Sequence, residues 1–256
     1  MEIHPTAVVH PRARLPEQGG LGPFCVIEEG VEIGEGTRLD AHVVLHRGVR
    51  LGRDCHLHAG VVLGHTSMVR GETTRESFLE IGDRTIILPN TTVERGHGEG
   101  TSTRIGADGF IMTEVHVGHN SMLGENVTLA SGVALGGFSV VEDYAFLGGG
   151  AVQHQHTRVG RLAMVGGNVR IIQDVPPFLL VAEFNAAAKG LNLVGLKRYG
   201  MPAKKISALK RAYTLLYRSK LPLKEALARI EKDVATEEAL YLVRFIRASQ
   251  RGICRE

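Results

Sequence analysis

Every sixth residue from Ile105 to Ile171 is aliphatic with one exception, the run being Ile105, Ile111, Val117, Leu123, Leu129, Leu135, Val141, Leu147, Gln153, Val159, Val165 and Ile171. A helix repeats at about 3.6 residues and an ordinary strand at about two, so a period of six returns each sixth side chain to the same buried position of a recurring unit. The repeat therefore dictates the architecture.

A glycine often follows the aliphatic residue, as at Gly106, Gly118, Gly124, Gly136, Gly148, Gly160 and Gly166, and a small or β-branched residue often lies two places before the next one. Each hexad reads as a short strand plus a tight corner, with the glycine expected to supply the corner's backbone geometry. Three hexads close a triangular coil, and successive coils stack at roughly 4.8 Å. The register reaches back through Leu63, Leu57, Leu51, Leu45, Leu39, Ile33, Ile27 and Leu21 to Ile3, and it lapses at Arg75 and Glu99. The lapses predict two excursions from the scaffold, about 65–78 and 96–104, of the kind that often carries function. Pro176 and Pro177 end the ladder. Beyond Pro202 the spacing turns helical: Ile206, Leu209, Tyr213, Leu216 and Tyr217 form one stripe, Leu223, Leu227 and Ile230 a second behind Pro222, and Leu240, Val243 and Ile246 a third behind Thr236. The expected organisation is mainly β, a parallel β-helix of about ten coils over 1–177 followed by a helical module over 178–256.

The 256 residues hold no apolar run long enough for a membrane span and begin with no basic-then-apolar leader, which reads as a soluble cytoplasmic protein without membrane insertion. Cys25, Cys55 and Cys254 lack metal-ligand spacing and suit reduced thiols. The net charge of +3 conceals an asymmetry: residues 178–256 hold 16 Lys and Arg against 7 Asp and Glu, and residues 1–177 hold 14 against 20. A basic module of this kind attracts an acidic partner. No nucleic-acid motif accompanies the charge, so an acidic carrier protein fits better than nucleic acid.

Histidine is the side chain suited to proton transfer near neutral pH. His116 and His119 sit off the aliphatic position, so neither need be a core residue. Gly137 follows His119 by one 18-residue coil, Asn120, Phe138 and His156 form the neighbouring column, and His154 stacks on Gly136. Columns on different faces of a prism meet only when subunits associate.

The elements His116, Gly118 and His119, then Leu123 and Gly124, Gly148 and Gly149, His154 and Gln155, Met164 to Gly167, Gln173 to Pro177, and Gly195 to Arg198 resemble, almost end to end, the hexapeptide-repeat acyl-ACP:UDP-N-acetylglucosamine O-acyltransferases of lipid A biosynthesis. That resemblance implies a left-handed β-helix, a hand opposite to the general rule for parallel crossovers. It implies a homotrimer with active sites between prisms and no metal or soluble cofactor. His119 would be the general base, taking the proton of the sugar 3-hydroxyl as it attacks the thioester of a 3-hydroxyacyl carrier protein, with the Gly137 N–H on the oxyanion. His116 and His154 would position the nucleotide sugar and the acyl chain, Asn192 and Arg198 the phosphates and uridine, and Gly167 would set acyl length. Arg70, Gly71 and Glu72 are rough equivalents of the family's loop contacts.

Three departures from the family pattern stand out. Asn120 replaces the usual Asp beside the base, and orients an imidazole without stabilising its charge as well. Phe138 replaces the histidine that contacts the sugar amide, and His156 replaces a phenylalanine one coil later, as though the imidazole had moved along the wall. The first loop lacks the family's acidic sequence. One alternative is therefore N-acylation of a 3-amino or other amino-sugar nucleotide, since an amine needs less activation. A trimeric zinc carbonic anhydrase would need a more widely spaced histidine pair and a third ligand. A purely structural β-helix would leave the Gln173 to Pro177 segment and the polar excursions unexplained.

Overall fold

The structure, a computed structural model, describes residues 1–71 and 76–255. Its strands, mostly two residues long, stack into three sheets of 11, 9 and 7 strands. Among the described residues all ladders are parallel except one terminal hairpin. Strands repeat in register one coil apart, as with Val117 on Leu135 and Leu135 on Gln153. The aliphatic column is the core: Leu45, Leu57, Leu63, Ile87, Val93, Val117, Leu129 and Leu147 are fully buried, each contributing about 1.5–3 kcal/mol by leaving water. The small or β-branched residues two places earlier, such as Val127, Val133, Ala145, Ala151 and Ala163, fill the corners between the walls.

The corner geometry differs from the sequence expectation. The left-handed residue is the third after the aliphatic one, as in Asp108, Glu114, Asn120, Asn126, Phe138, Tyr144 and His156, with φ between 57° and 61° at Asn120, Phe138 and His156. The glycines directly after the aliphatic residue from Gly106 to Gly166 have no such φ and are needed for close approach instead. A Cβ on Gly106 would lie 2.5 Å from the Gly124 carbonyl oxygen, and one on Gly148 would lie 2.6 Å from the Gly167 nitrogen.

The excursions also shift. The first leaves the scaffold between the strands Val62–His65 and Phe78–Ile81; Arg75 and Glu72 lie outside the described residues. The second is shorter than expected, because Ser102–Ile105 is a strand paired with Phe78–Ile81. After Pro177 the chain does not turn helical at once. Leu179–Ala182 adds to the eleven-stranded sheet beside Met164–Val165 and forms a hairpin with Ala187–Leu191. Four α-helices follow: α1 (Leu193–Arg198), α2 (Ala203–Tyr213), extended by a π turn at Thr214–Arg218, α3 (Leu223–Asp233) and α4 (Glu237–Arg247). Thr236 caps α4 by accepting the Ala239 N–H at 3.3 Å.

Ala212, Leu227, Ile230, Ala239, Leu242 and Val243 form the helices' own core. The module is tied to the prism by the Tyr241 hydroxyl, which donates to Glu142 at 2.5 Å, and by the Arg158 guanidinium, 3.9 Å from the centre of the Phe245 ring. Burial and the Glu142 carboxylate raise the Tyr241 pKa, so the phenol stays protonated as the donor. Asp174 pairs with the tail, donating its N–H to Gly252 and accepting the Cys254 N–H at 3.0 Å. Burial drives the Cys254 thiol up to about 12, which keeps it protonated and unreactive. Among the described residues no helix is long and apolar enough to cross a membrane.

Candidate active site

Gly118, Gly136 and His154 follow the in-register residues Val117, Leu135 and Gln153, and so share a column on the outside of the nine-stranded sheet. Glu94, after Val93, heads that column. The two glycines leave the floor bare, giving a trough of about 350 Å³ walled by His116, His119, Gly137, Glu94, Met68 and Val69.

His119 hangs over this floor. Its Nδ1 lies 2.9 Å from Asn120 Oδ1, and that same oxygen accepts the His97 N–H at 2.8 Å. The second bond fixes the amide with its oxygen toward the imidazole, so His119 Nδ1 must donate and Nε2 is left with its lone pair. Backbone contacts hold the residue in place. The His119 N–H donates to Glu94 Oε2 at 2.8 Å, and the Asn120 N–H donates to Thr103 Oγ1 at 2.8 Å. Gly137 is where the ring needs room: a Cβ there would be 2.5 Å from Nε2. Among the described residues the Gly137 N–H has no hydrogen-bond partner, which leaves a free donor beside a free acceptor.

His116 donates to or accepts from Thr92 Oγ1 at 2.9 Å and holds Nε2 3.9 Å from Glu94 Oε1. Burial pushes its pKa below the ordinary value, the Glu94 carboxylate opposes that shift, and His65 adds to it. Phe138 stands edge-on to His119 with ring centres 5.2 Å apart and stacks on His156 at 4.7 Å. His154 is exposed at the trough's end, where Arg251 of the C-terminal tail reaches within 3.2 Å of its Nδ1.

Gly167, Asn192 and Arg198 lie elsewhere. Asn192 and Arg198 line a cleft of about 970 Å³ with Tyr144, Phe146, Leu162 and Met164, against the eleven-stranded sheet. Asn192 has a structural task there: it caps α1 by accepting the Gly195 N–H at 3.0 Å, and it donates to the Leu162 carbonyl at 2.9 Å. Gly167 sits in a tight column, with a Cβ 3.2 Å from the Gly149 oxygen. Arg70 and Gly71 are exposed in the first excursion.

Two further residues of the trough escaped the sequence reading. Glu94 is 2% exposed, and its carboxylate also accepts the Met68 N–H at 3.0 Å, joining the first excursion to His119. His97 places its ring 5.2 Å from His119. Their only sequence signal was a charge directly after Val93 and a histidine among the glycines of the second excursion.

Comparison with known proteins decides the family. The family described as UDP-N-acetylglucosamine O-acyltransferase, domain 2, matches residues 174–254, and the bacterial transferase hexapeptide repeat matches residues 30–65. The acyl-[acyl-carrier-protein]--UDP-N-acetylglucosamine O-acyltransferase of Anaeromyxobacter dehalogenans is 42% identical over the whole of both chains, and that of Thermodesulfovibrio yellowstonii is 39% identical over 99% of each. The chain belongs to this O-acyltransferase family. Solved structures of UDP-N-acetylglucosamine acyltransferases agree. The Francisella novicida enzyme is 33% identical with a TM-score of 0.92, covering 99% of this chain and 94% of its own. The Bacteroides fragilis enzyme is 32% identical with a TM-score of 0.94, covering 98% and 99%.

As an acyltransferase of this family, with the family's left-handed β-helix, the chain carries its departures in defined places. Asn120, Phe138 and His156 all occupy left-handed corners, a conformation that recurs at corners remote from the trough, such as Phe24, His42 and Arg84. Their backbone is thus a property of the fold, and the exchanges alter only which side chain faces the trough wall.

Proposed function

We propose that this enzyme transfers a 3-hydroxyacyl chain from acyl carrier protein to the 3-hydroxyl of UDP-N-acetylglucosamine, with His119 as general base. The observation that carries the reading is the pair of bonds to Asn120 Oδ1, which leaves the Nε2 lone pair of His119 free on a ring packed against Gly137, whose N–H has no partner among the described residues. Nε2 takes the hydroxyl proton as the sugar oxygen bonds to the thioester carbon, and the carbonyl electron pair moves onto oxygen, where Gly137 N–H donates to it. Collapse breaks the C–S bond, and the imidazolium returns the proton to the departing thiolate. Asn120 holds the ring without a charge of its own, and the buried Glu94 carboxylate supplies negative charge beside the two histidines.

The trough and the large cleft lie on different sheets of one prism. A neighbouring subunit that sets its cleft against this trough would let one nucleotide sugar reach His119 and Arg198 together, which supports a homotrimer. The basic residues of 178–256 suit an acidic carrier protein, and a cytoplasmic location suits both substrates. The neutral Asn120 favours one second reading, N-acylation of a 3-amino sugar nucleotide, because an amine demands less of the base.

The test is an assay of purified enzyme with 3-hydroxyacyl carrier proteins and either UDP-N-acetylglucosamine or its 3-amino analogue, in wild type and His119→Ala. Turnover of the hydroxyl sugar falling about 10²–10⁴-fold in the variant is the expected result. Turnover of the amino sugar alone reassigns the acceptor, and turnover of both sugars unchanged in His119→Ala removes His119 as base.

A further inference from the structure

A second histidine cluster lies on another face of the prism. Arg38–Leu39 and His56–Leu57 are paired strands of the eleven-stranded sheet, so Asp40 and His58, which follow the paired leucines, are neighbours one coil apart. His56 and His58 flank the buried Leu57 and therefore project to the same outer side. His56 Nε2 is 3.1 Å from Asp40 Oδ1 and His58 Nδ1 is 3.0 Å from Asp40 Oδ2, with the two rings stacked at 4.1 Å. One ligand atom from each of the three lies within 4.8 Å of the others, and all three residues are partly exposed.

We propose that Asp40, His56 and His58 form a binding site for a late first-row divalent cation of the Zn²⁺ class. Two imidazoles and one carboxylate make a borderline nitrogen and oxygen set, which selects Zn²⁺, Co²⁺ or Ni²⁺ over Mg²⁺ or Ca²⁺. Ligand bonds of about 2.0–2.2 Å put donor atoms roughly 3.3 Å apart around a tetrahedral ion. Each imidazole nitrogen already lies near that spacing from its own carboxylate oxygen of Asp40. Leu39 and Leu57, buried in the core, anchor both strands. A ring that coordinates through the nitrogen now facing Asp40 carries its proton on the other nitrogen, Nδ1 of His56 and Nε2 of His58. Water completes the coordination sphere. The site belongs to one chain and uses none of the trough residues, so it is independent of acyl transfer.

The experiment is equilibrium dialysis of the chelator-treated full-length protein against Zn²⁺ and Co²⁺. Wild type, His56→Ala, His58→Ala, Asp40→Asn and the His56→Ala/His58→Ala double variant are compared, with Co²⁺ visible absorption and acyl transfer read in parallel. The expected result is one ion per chain that the double variant loses, an affinity weakened about tenfold or more by each single change, and unchanged acyl transfer. Asp40→Asn separates the proposal from a simple hydrogen-bonded cluster, since it keeps an acceptor oxygen and removes the charge. Equal stoichiometry and affinity in wild type and double variant, or no saturable binding by wild type at about 100 µM free Zn²⁺, overturns the proposal.

Discussion

At the level of single residues, the trough works by leaving atoms out. Gly137→Ala would put a methyl carbon 2.5 Å from His119 Nε2 and 2.6 Å from Cε1, inside any permitted contact. The ring must swing away from Asn120, so kcat is expected to fall about 10²-fold or more while KM changes little. Steady-state kinetics check this, and circular dichroism confirms that the fold survives. His116 offers a measurement independent of turnover. Its folded pKa lies below the ordinary value of about 6.5, so between those two values the unfolded chain binds the extra proton. The stabilising contribution is therefore complete above about pH 6.5 and is lost as the pH falls toward the folded pKa. His116→Gln should lessen the drop in melting temperature between pH 7.5 and 5.5, and a His116 NMR titration midpoint at or above 6.5 contradicts the assignment. Glu94→Gln, by removing the one raising influence, should lower that midpoint further. Counting by 18 was enough to bring His119, Gly137, Phe138 and His156 together, because the coil length converts sequence distance into height. Glu94 and His97 follow no such count, since their contacts depend on where two aperiodic excursions close.

Among the elements, the hexad made strands and core columns legible because burial repeats with the chain. The corner did not follow, because two needs were assigned to one glycine. Left-handed backbone belongs to the third position, where Asn, Asp, His or even Phe adopt it as well as glycines such as Gly132 and Gly150, while the glycine at the first position serves close approach. The Leu179–Ala182 and Ala187–Leu191 hairpin was hidden because its apolar residues, broken by Glu183, Asn185 and Lys189, carry neither period, and α1 was too short to show one. The single polar member of the aliphatic column tests the coil's tolerance. Gln153 is 3% exposed, with Nε2 donating to the Thr157 carbonyl at 2.8 Å and Oε1 buried without a partner among the described residues. Thr157 O keeps the Val140 N–H at 3.0 Å without it. Gln153→Leu removes an unsatisfied acceptor and matches the column, so it should stabilise the protein by about 1 kcal/mol. A lower denaturant midpoint for the variant would show that the amide is needed where it is.

For the whole molecule, the separation of the trough from the Arg198 cleft sets the strongest requirement. If each active site takes its base from one prism and its phosphate-binding arginine from the next, the two functions belong to different chains at every site. His119→Ala and Arg198→Ala should each be nearly inactive as pure assemblies. Unfolded together in equal amounts and refolded, they should form mixed trimers in which some sites pair the intact His119 face of an Arg198→Ala chain with the intact cleft of a His119→Ala chain. Random mixing makes about one site in four complete, so activity should recover to about a quarter of wild type. Mixing without refolding should recover none as long as the assembled chains keep their partners. If the refolded mixture stays as inactive as its parents, both groups serve a site within one chain, and the sugar nucleotide must bind along a single prism.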